Sequence, residues 1–230
     1  MSISDYAAER LAHINSRIDN ACTIAGRQRT DVTLIGASKK QTPDLIQQFV
    51  GQGLSHLGEN YLQEASRKQS EMPNLDVQWH FIGQIQSNKT KTIAEHFTWV
   101  HGVDRLKIAQ RLAKQNPRST PINILLQLNP DNEFSKAGVA LSQAAQLSDE
   151  IAHIDGLSLQ GFMMIPKARD LASEQAAVFA QAQTLLTATN QRYGLNLKHL
   201  SMGMSGDLSA AIQEGSTMVR VGTDLFGARS

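Results

Sequence analysis

Apolar positions recur along this chain with two periods, one helical and one extended, and the period switches repeatedly. Leu11, Ile14, Ile18, Cys22 and Ile24 fall at mostly helical spacing, with Glu9, Arg10, Arg17 and Asp19 off that stripe. This predicts an amphipathic leading helix from about Asp5 to Arg27. Val32 to Ala37 is then a short, almost wholly apolar run, as a parallel strand buried on both faces requires. Ser38-Lys39-Lys40 ends it abruptly. Thr42 and Pro43 suit an N-cap and first helical position, and Leu45, Ile46, Phe49 and Val50 give the next helix one apolar face before Gly51.

The strand–helix unit then repeats. Leu54 to Leu57 leads into a helix from about Tyr61, Val77 to Ile82 into one over Asn88 to His96, and Phe97 to His101 into Asp104 to Lys114. Ile122 to Leu128 leads, after a polar loop, into Leu141 to His153, and Leu157 to Phe162 into a long stretch carrying Val178, Phe179, Ala182, Leu185 and Leu186. Leu197 to Leu200 precedes Asp207 to Glu214, and Thr217 to Val221 is an eighth strand. Eight short strands separated by helices, with no Gly/Ser linker or low-complexity insert, predict an α/β fold, a closed (β/α)8 barrel with an extra N-terminal helix. Only Phe226 to Ser230 follow the last unit, so the expectation is one domain over 1–230, with 1–30 as leading helix and connection.

Composition narrows the partners. Twenty-two Lys+Arg against 21 Asp+Glu give a net charge of +1, which provides no overall field to concentrate nucleic acid or an anionic membrane. Any anion must be bound locally. The lone Cys22 cannot form an internal disulfide, and the chain opens on no basic segment followed by an apolar one, so a reducing cytoplasm is expected. No apolar run approaches the roughly 20 residues that span a bilayer. A monomer is the default expectation.

In such a barrel the reacting groups collect where strands end. Lys39 ends the first strand, Glu59-Asn60 the second, Gly83-Gln84 the third, Asn129 the fifth, Ser201 the seventh and Gly222-Thr223 the eighth. A lysine there is either a solvated surface charge or a desolvated amine free to condense with an aldehyde. Ser201-Met202-Gly203-Met204-Ser205-Gly206-Asp207 and Val221-Gly222-Thr223-Asp224-Leu225-Phe226-Gly227 are rich in glycine and hydroxyls. They read either as plain turns or as a phosphate cradle, with Ser205 capping the helix that carries Ala210, Ala211 and Ile212. Arg220 sits inside the apolar strand Met218-Val219-Arg220-Val221, where it needs a specific partner, either a structural carboxylate or a ligand acceptor.

Taken together, Leu34-Ile35-Gly36-Ala37-Ser38-Lys39, Gly58-Glu59-Asn60-Tyr61, Trp79-His80-Phe81-Ile82-Gly83, Ser201-Met202-Gly203-Met204-Ser205 and Val219-Arg220-Val221-Gly222-Thr223 strongly resemble the pyridoxal phosphate homeostasis proteins. The likeness extends to Gln86-Ser87-Asn88-Lys89, to Asn129 with Glu133, Ser135, Lys136 and Gly138, and to Gly161-Phe162-Met163. The resemblance implies an alanine racemase-like barrel without that enzyme's β-domain, holding pyridoxal 5'-phosphate as an imine on Lys39. It also implies that Ser205 and the backbone at Gly222-Thr223 hold the phosphate, that Asn60 and Met202 line the ring, and that Arg220 faces the pyridine nitrogen or its surroundings. The chain departs from the family at Gly36-Ala37 and in the spacing of Pro43, neither of which touches an implied ligand.

Three functions follow as alternatives. The first is a cofactor carrier or buffer that limits free aldehyde and passes it to pyridoxal phosphate-dependent apoenzymes. The second is an amino-acid racemase, decarboxylase or lyase on the same lysine. Stereoinversion needs a second proton donor opposite that lysine, and none of Tyr6, Tyr61 and Tyr193 lies at an expected strand end in a matched catalytic motif, although Tyr61 directly follows Asn60. The third is a metal-dependent hydrolase on His56, His80 and His101, whose spacing carries no tight ligand motif. Histidines within strands more often pack and hydrogen-bond. Trp79 reads as packing, Lys89 and Lys91 as solvated, and Met163, Met164, Met202 and Met204 as adaptable core.

Overall fold

The computed structural model describes residues 2–133 and 136–227. Ser2 caps the leading helix α1 (Ile3–Ile24) with a reciprocal Ser2–Asp5 pair, and its Leu11, Ile14, Ile18 and Cys22 stripe is buried. Eight strands follow: β1 (Thr33–Ala37), β2 (His56–Glu59), β3 (Gln78–Phe81), β4 (Trp99–Val103), β5 (Ile122–Leu128), β6 (Leu157–Met164), β7 (His199–Ser201) and β8 (Met218–Val221). Between them run α2 (Pro43–Gly51), α3 (Leu62–Glu71), α4 (Thr90–His96), α5 (Leu106–Gln115), α6 (Leu141–Ala152), α7 (Ala172–Tyr193) and α8 (Leu208–Gln213), with α9 (Thr223–Phe226) after the last strand. Every strand pairs in parallel with its neighbours, and β1 closes on β8 with Ile35 opposite Arg220. The expected closed barrel and its extra N-terminal helix are present.

Strand alternation sets the layers. On β8, Val219 and Val221 face outward into the cluster under α1, α2 and α8, while Met218 faces inward with Ile35, Leu125 and Met163. On β4, Val100 packs outward and Trp99 inward. Most differences from the sequence reading concern strand starts. Leu54, Phe97 and Leu197 are buried as expected but precede the ladders, because Leu54 donates to Phe49 O and Phe97 to Ile93 O at the ends of the preceding helices. Apolar periodicity reports burial, and these residues are buried in the clusters that pack the helices on the sheet, not as strand members.

One glycine fixes the mouth. A side chain at Gly83 would lie 2.1 Å from the Asn60 carbonyl oxygen, so only glycine lets the loop after β3 approach the loop after β2.

Candidate functional site

Strand parity carries through to the loops at the C-terminal end of the barrel. Ile35 faces inward, and with it Ala37 and Lys39; Gly36 and Ser38 face outward. Ala37, Lys39, Gln41, Asn60, Ile82, Ile165, Met204, Ser205, Gly206, Arg220, Gly222, Thr223 and Gly227 line one cavity of about 310 Å³. Six of the seven expected site residues, Lys39, Asn60, Ser205, Arg220, Gly222 and Thr223, therefore meet. Met202 does not. It is 1% exposed and packs outward with Leu200 and Ala211, since Ser201 before it points inward. The apolar side chains at the cavity wall are Ile82, Ile165 and Met204.

The residues on either side of Lys39 are held by an ionic cluster that the sequence reading did not anticipate. The Lys68 ammonium, fully buried on α3, donates to Ser38 O at 2.6 Å and pairs with Glu59 and Glu64, each at 2.7 Å. Ser38 Oγ donates to the same Glu59 oxygen at 2.6 Å, and the Lys40 backbone N–H donates to Glu64. Lys40 adopts a left-handed φ of 62° and is exposed, so the two consecutive lysines diverge. Burial pushes the Glu59 carboxyl up, against the pull of Lys68.

The two glycine-hydroxyl turns stand across the cavity. Asp207, not Ser205, occupies the N-cap of α8, and it accepts from Met204 N at 2.6 Å; the extra residue Gly206 moves the helix start along. Ser205 is left at the cavity wall. Among the described residues, the backbone N–H groups of Ser205, Gly206 and Thr223 donate to no protein acceptor. Three such donors with the Ser205 and Thr223 hydroxyls suit an anion of several oxygens. The leading helix ties both turns together, because Arg17 pairs with Asp224 at 2.7 Å and donates to Ser205 O at 2.6 Å.

Arg220 has no carboxylate partner within ion-pair distance among the described residues. Its guanidinium donates to Ser201 O and Oγ, both at 2.6 Å, and to Met164 O at 2.9 Å. Burial draws its pKa down to about 10. The second expected alternative, a ligand acceptor, remains open to it because it also lines the cavity. Asn60 Oδ1 is buried without a hydrogen-bond partner, and Asn60 also borders a 420 Å³ recess with the exposed Tyr61 and with Lys89. Asn129 stitches its own loop, accepting from Glu133 N at 3.1 Å and donating to Glu133 O at 2.9 Å; Ser135 lies outside the described residues.

His56, His80 and His101 bond to one another in a line. A metal site needs donors converging on one point. No helix among the described residues is long and apolar enough to cross a membrane.

Comparison with known proteins agrees with this geometry. The sequence profile described as alanine racemase, N-terminal domain, matches residues 15–230. A pyridoxal phosphate homeostasis protein of Pseudomonas aeruginosa is 48% identical over 96% of this chain and 95% of its own. One of Escherichia coli K12 is 40% identical over 96% of each. These relatives are named for homeostasis and not for a reaction. PipY of Synechococcus elongatus, in a structure with PLP bound, superposes with a TM-score of 0.85 at 35% identity, over 96% of this chain and 100% of that one. With its closed barrel and its lysine, Gly-Ser and Gly-Thr strand ends in one cavity, this chain belongs to the pyridoxal phosphate homeostasis protein family.

Proposed function

We propose that the protein binds pyridoxal 5'-phosphate covalently on Lys39 and acts as a single-domain, monomeric cytoplasmic carrier or buffer of that cofactor, passing it to apoenzymes and affecting amino-acid metabolism indirectly. The observation that carries the reading is that Lys39 and the unpaired N–H groups of Ser205, Gly206 and Thr223 face one cavity. When bound, the cofactor supplies an aldehyde and an electron-withdrawing ring. Lys39 would hold the cofactor through its amine, at the aldehyde carbon. Ser205 and the backbone at Gly222-Thr223 would hold the phosphate, Asn60 would line the ring, and Arg220 would face the pyridine nitrogen or its surroundings.

The same lining supports a carrier over an enzyme. Besides Lys39 and Arg220, no titratable side chain among the described residues lines the cavity. Tyr61 opens on the neighbouring recess, and Tyr6 hydrogen-bonds to Arg10 on α1. A racemase, decarboxylase or lyase would have to bring its second acid from outside.

The test incubates cofactor-loaded protein with individual amino acids in deuterated water. The expected result is α-hydrogen exchange no faster than free cofactor gives, together with activation of an added apoenzyme. Fast, stereospecific exchange would establish the enzyme instead.

A further inference from the structure

Three histidines, His80 and His101 buried and His56 half-buried, take no part in the cavity just described, yet they lead to it. His56 Nδ1 lies 2.9 Å from His80 Nε2, His80 Nδ1 lies 2.9 Å from His101 Nε2, and His101 Nδ1 lies 2.9 Å from Ser201 Oγ. Ser201 in turn accepts from Arg220. His80 is opposite Gly58, two residues beyond His56, and His101 is two residues beyond Trp99, the partner of His80. The line therefore climbs with the stagger of the barrel strands. It runs from a recess at the opposite end, where His56 sits with Asn15, Arg29 and Gln52, to the mouth.

The direction of every bond in this line follows from one end. A guanidinium only donates, so the Ser201 oxygen accepts from Arg220 and must send its own hydrogen elsewhere. His101 Nδ1 is the acceptor within reach, which leaves it bare. A neutral imidazole has one N–H, so His101 carries it on Nε2 and donates it to His80 Nδ1. The same step puts the His80 proton on Nε2, donated to His56 Nδ1. Burial and mutual proximity hold His80 and His101 well below the ordinary imidazole range, so both rings are neutral.

We propose that His101 and His80, aligned by His56, are positioning residues for Arg220: a one-way chain of neutral rings fixes the Ser201 hydroxyl with its lone pair toward the guanidinium. The effect of this line on cofactor binding rests on the proposed reading that Arg220 faces the cofactor. Among the described residues, Ser201 and Met164 supply the acceptors of this buried cation. A Ser201 hydrogen turned toward Arg220 would remove one of them and free the side chain to shift.

The first test needs no cofactor. Nitrogen-15 NMR of histidine-labelled apoprotein near neutral pH is expected to show His56, His80 and His101 all protonated on Nε2 and bare on Nδ1. An Nδ1–H on His101, or a cationic buried ring, overturns the proposal. Ser201→Ala removes the anchor and is expected to alter the signals of His80 and His56 as well as His101; a change confined to His101 overturns the relay. In loaded protein, His101→Phe is expected to weaken pyridoxal phosphate binding about tenfold. It should also move the pH at which the bound chromophore titrates, while Lys39 still forms its reduced adduct. His101→Asn, whose side-chain oxygen can accept from Ser201, should recover most of the affinity. Unchanged affinity and titration in a folded His101→Phe chain overturn the positioning role. If wild-type protein takes up no cofactor, the proposed function fails, and the ring tautomers still decide the relay.

Discussion

Beside Lys39 the barrel wall is held by charges, and beneath Arg220 it is held by neutral rings. The Ser38–Glu59–Glu64–Lys68 cluster lies outside the sheet, between β1, β2 and α3, where two carboxylates and one ammonium reach each other at 2.7 Å. The histidine line lies inside the barrel, with no carboxylate paired to its rings among the described residues. The outer cluster encloses a full charge, so its geometry is rigid but any missing member leaves an ion stranded in a low-dielectric site. The inner line encloses no charge until Arg220 and derives its order from direction alone. The difference teaches that the two halves of the site need different guarantees. On the proposed function, the lysine needs a backbone that does not move, and the arginine needs an acceptor that does not rotate.

That contrast can be broken most severely at Lys68. Lys68→Met leaves Glu59 buried and unpaired and is expected to cost about 3–5 kcal/mol of stability, read by denaturant unfolding, and to loosen the loop around Lys39. A loss of less than about 1 kcal/mol would show that water reaches Glu59 and that the cluster is not an enclosed ion pair.

The neutral line should instead reveal itself through pH. His80 and His101 have folded pKa values below the ordinary 6.5. As pH falls through 6.5 the unfolded chain takes up protons that the folded barrel refuses. Stability is therefore present above that value and is lost below it, with a slope of up to about 2.7 kcal/mol per pH unit from the two rings. Unfolding curves from pH 7 to 5 check this. His80→Phe with His101→Phe should flatten the slope, and Lys68→Met should leave it in place.

A smaller effect calibrates the charged side. Arg67 and Glu71 form an exposed pair at 2.8 Å on the same helix as Lys68. Arg67→Ala is expected to change stability by less than about 0.5 kcal/mol, with cofactor binding unaltered. Burial, and not the count of ion pairs, separates the two positions.

Much of this was legible in the sequence, and the exceptions have physical causes. The eight βα units, the strand-end lysine and the two glycine-hydroxyl turns could be read because each depends on local spacing. Arg220 announced a need for partners, but the partners proved to be carbonyls and a hydroxyl, which no sequence position displays. Met202 could have been excluded by parity once Ser201 was placed inward. Ser205 lost the helix cap because one glycine shifts the turn. Lys68 was missed for a tertiary reason: Ala65 and Lys68 share the buried face of α3, but a lysine is buried only where Glu59 awaits it across the interface. The histidine line was hidden because strand stagger, which brings residues 21 and 24 apart into contact, is a property of the closed barrel.

The most direct test of the account loads the protein with pyridoxal 5'-phosphate, reduces it with borohydride and maps the modified peptides. The account predicts a visible absorption band before reduction and a single adduct on Lys39, both abolished in Lys39→Ala without loss of fold. A colourless protein, or label spread over surface lysines such as Lys89 and Lys91 with Lys39 unmodified, would contradict it.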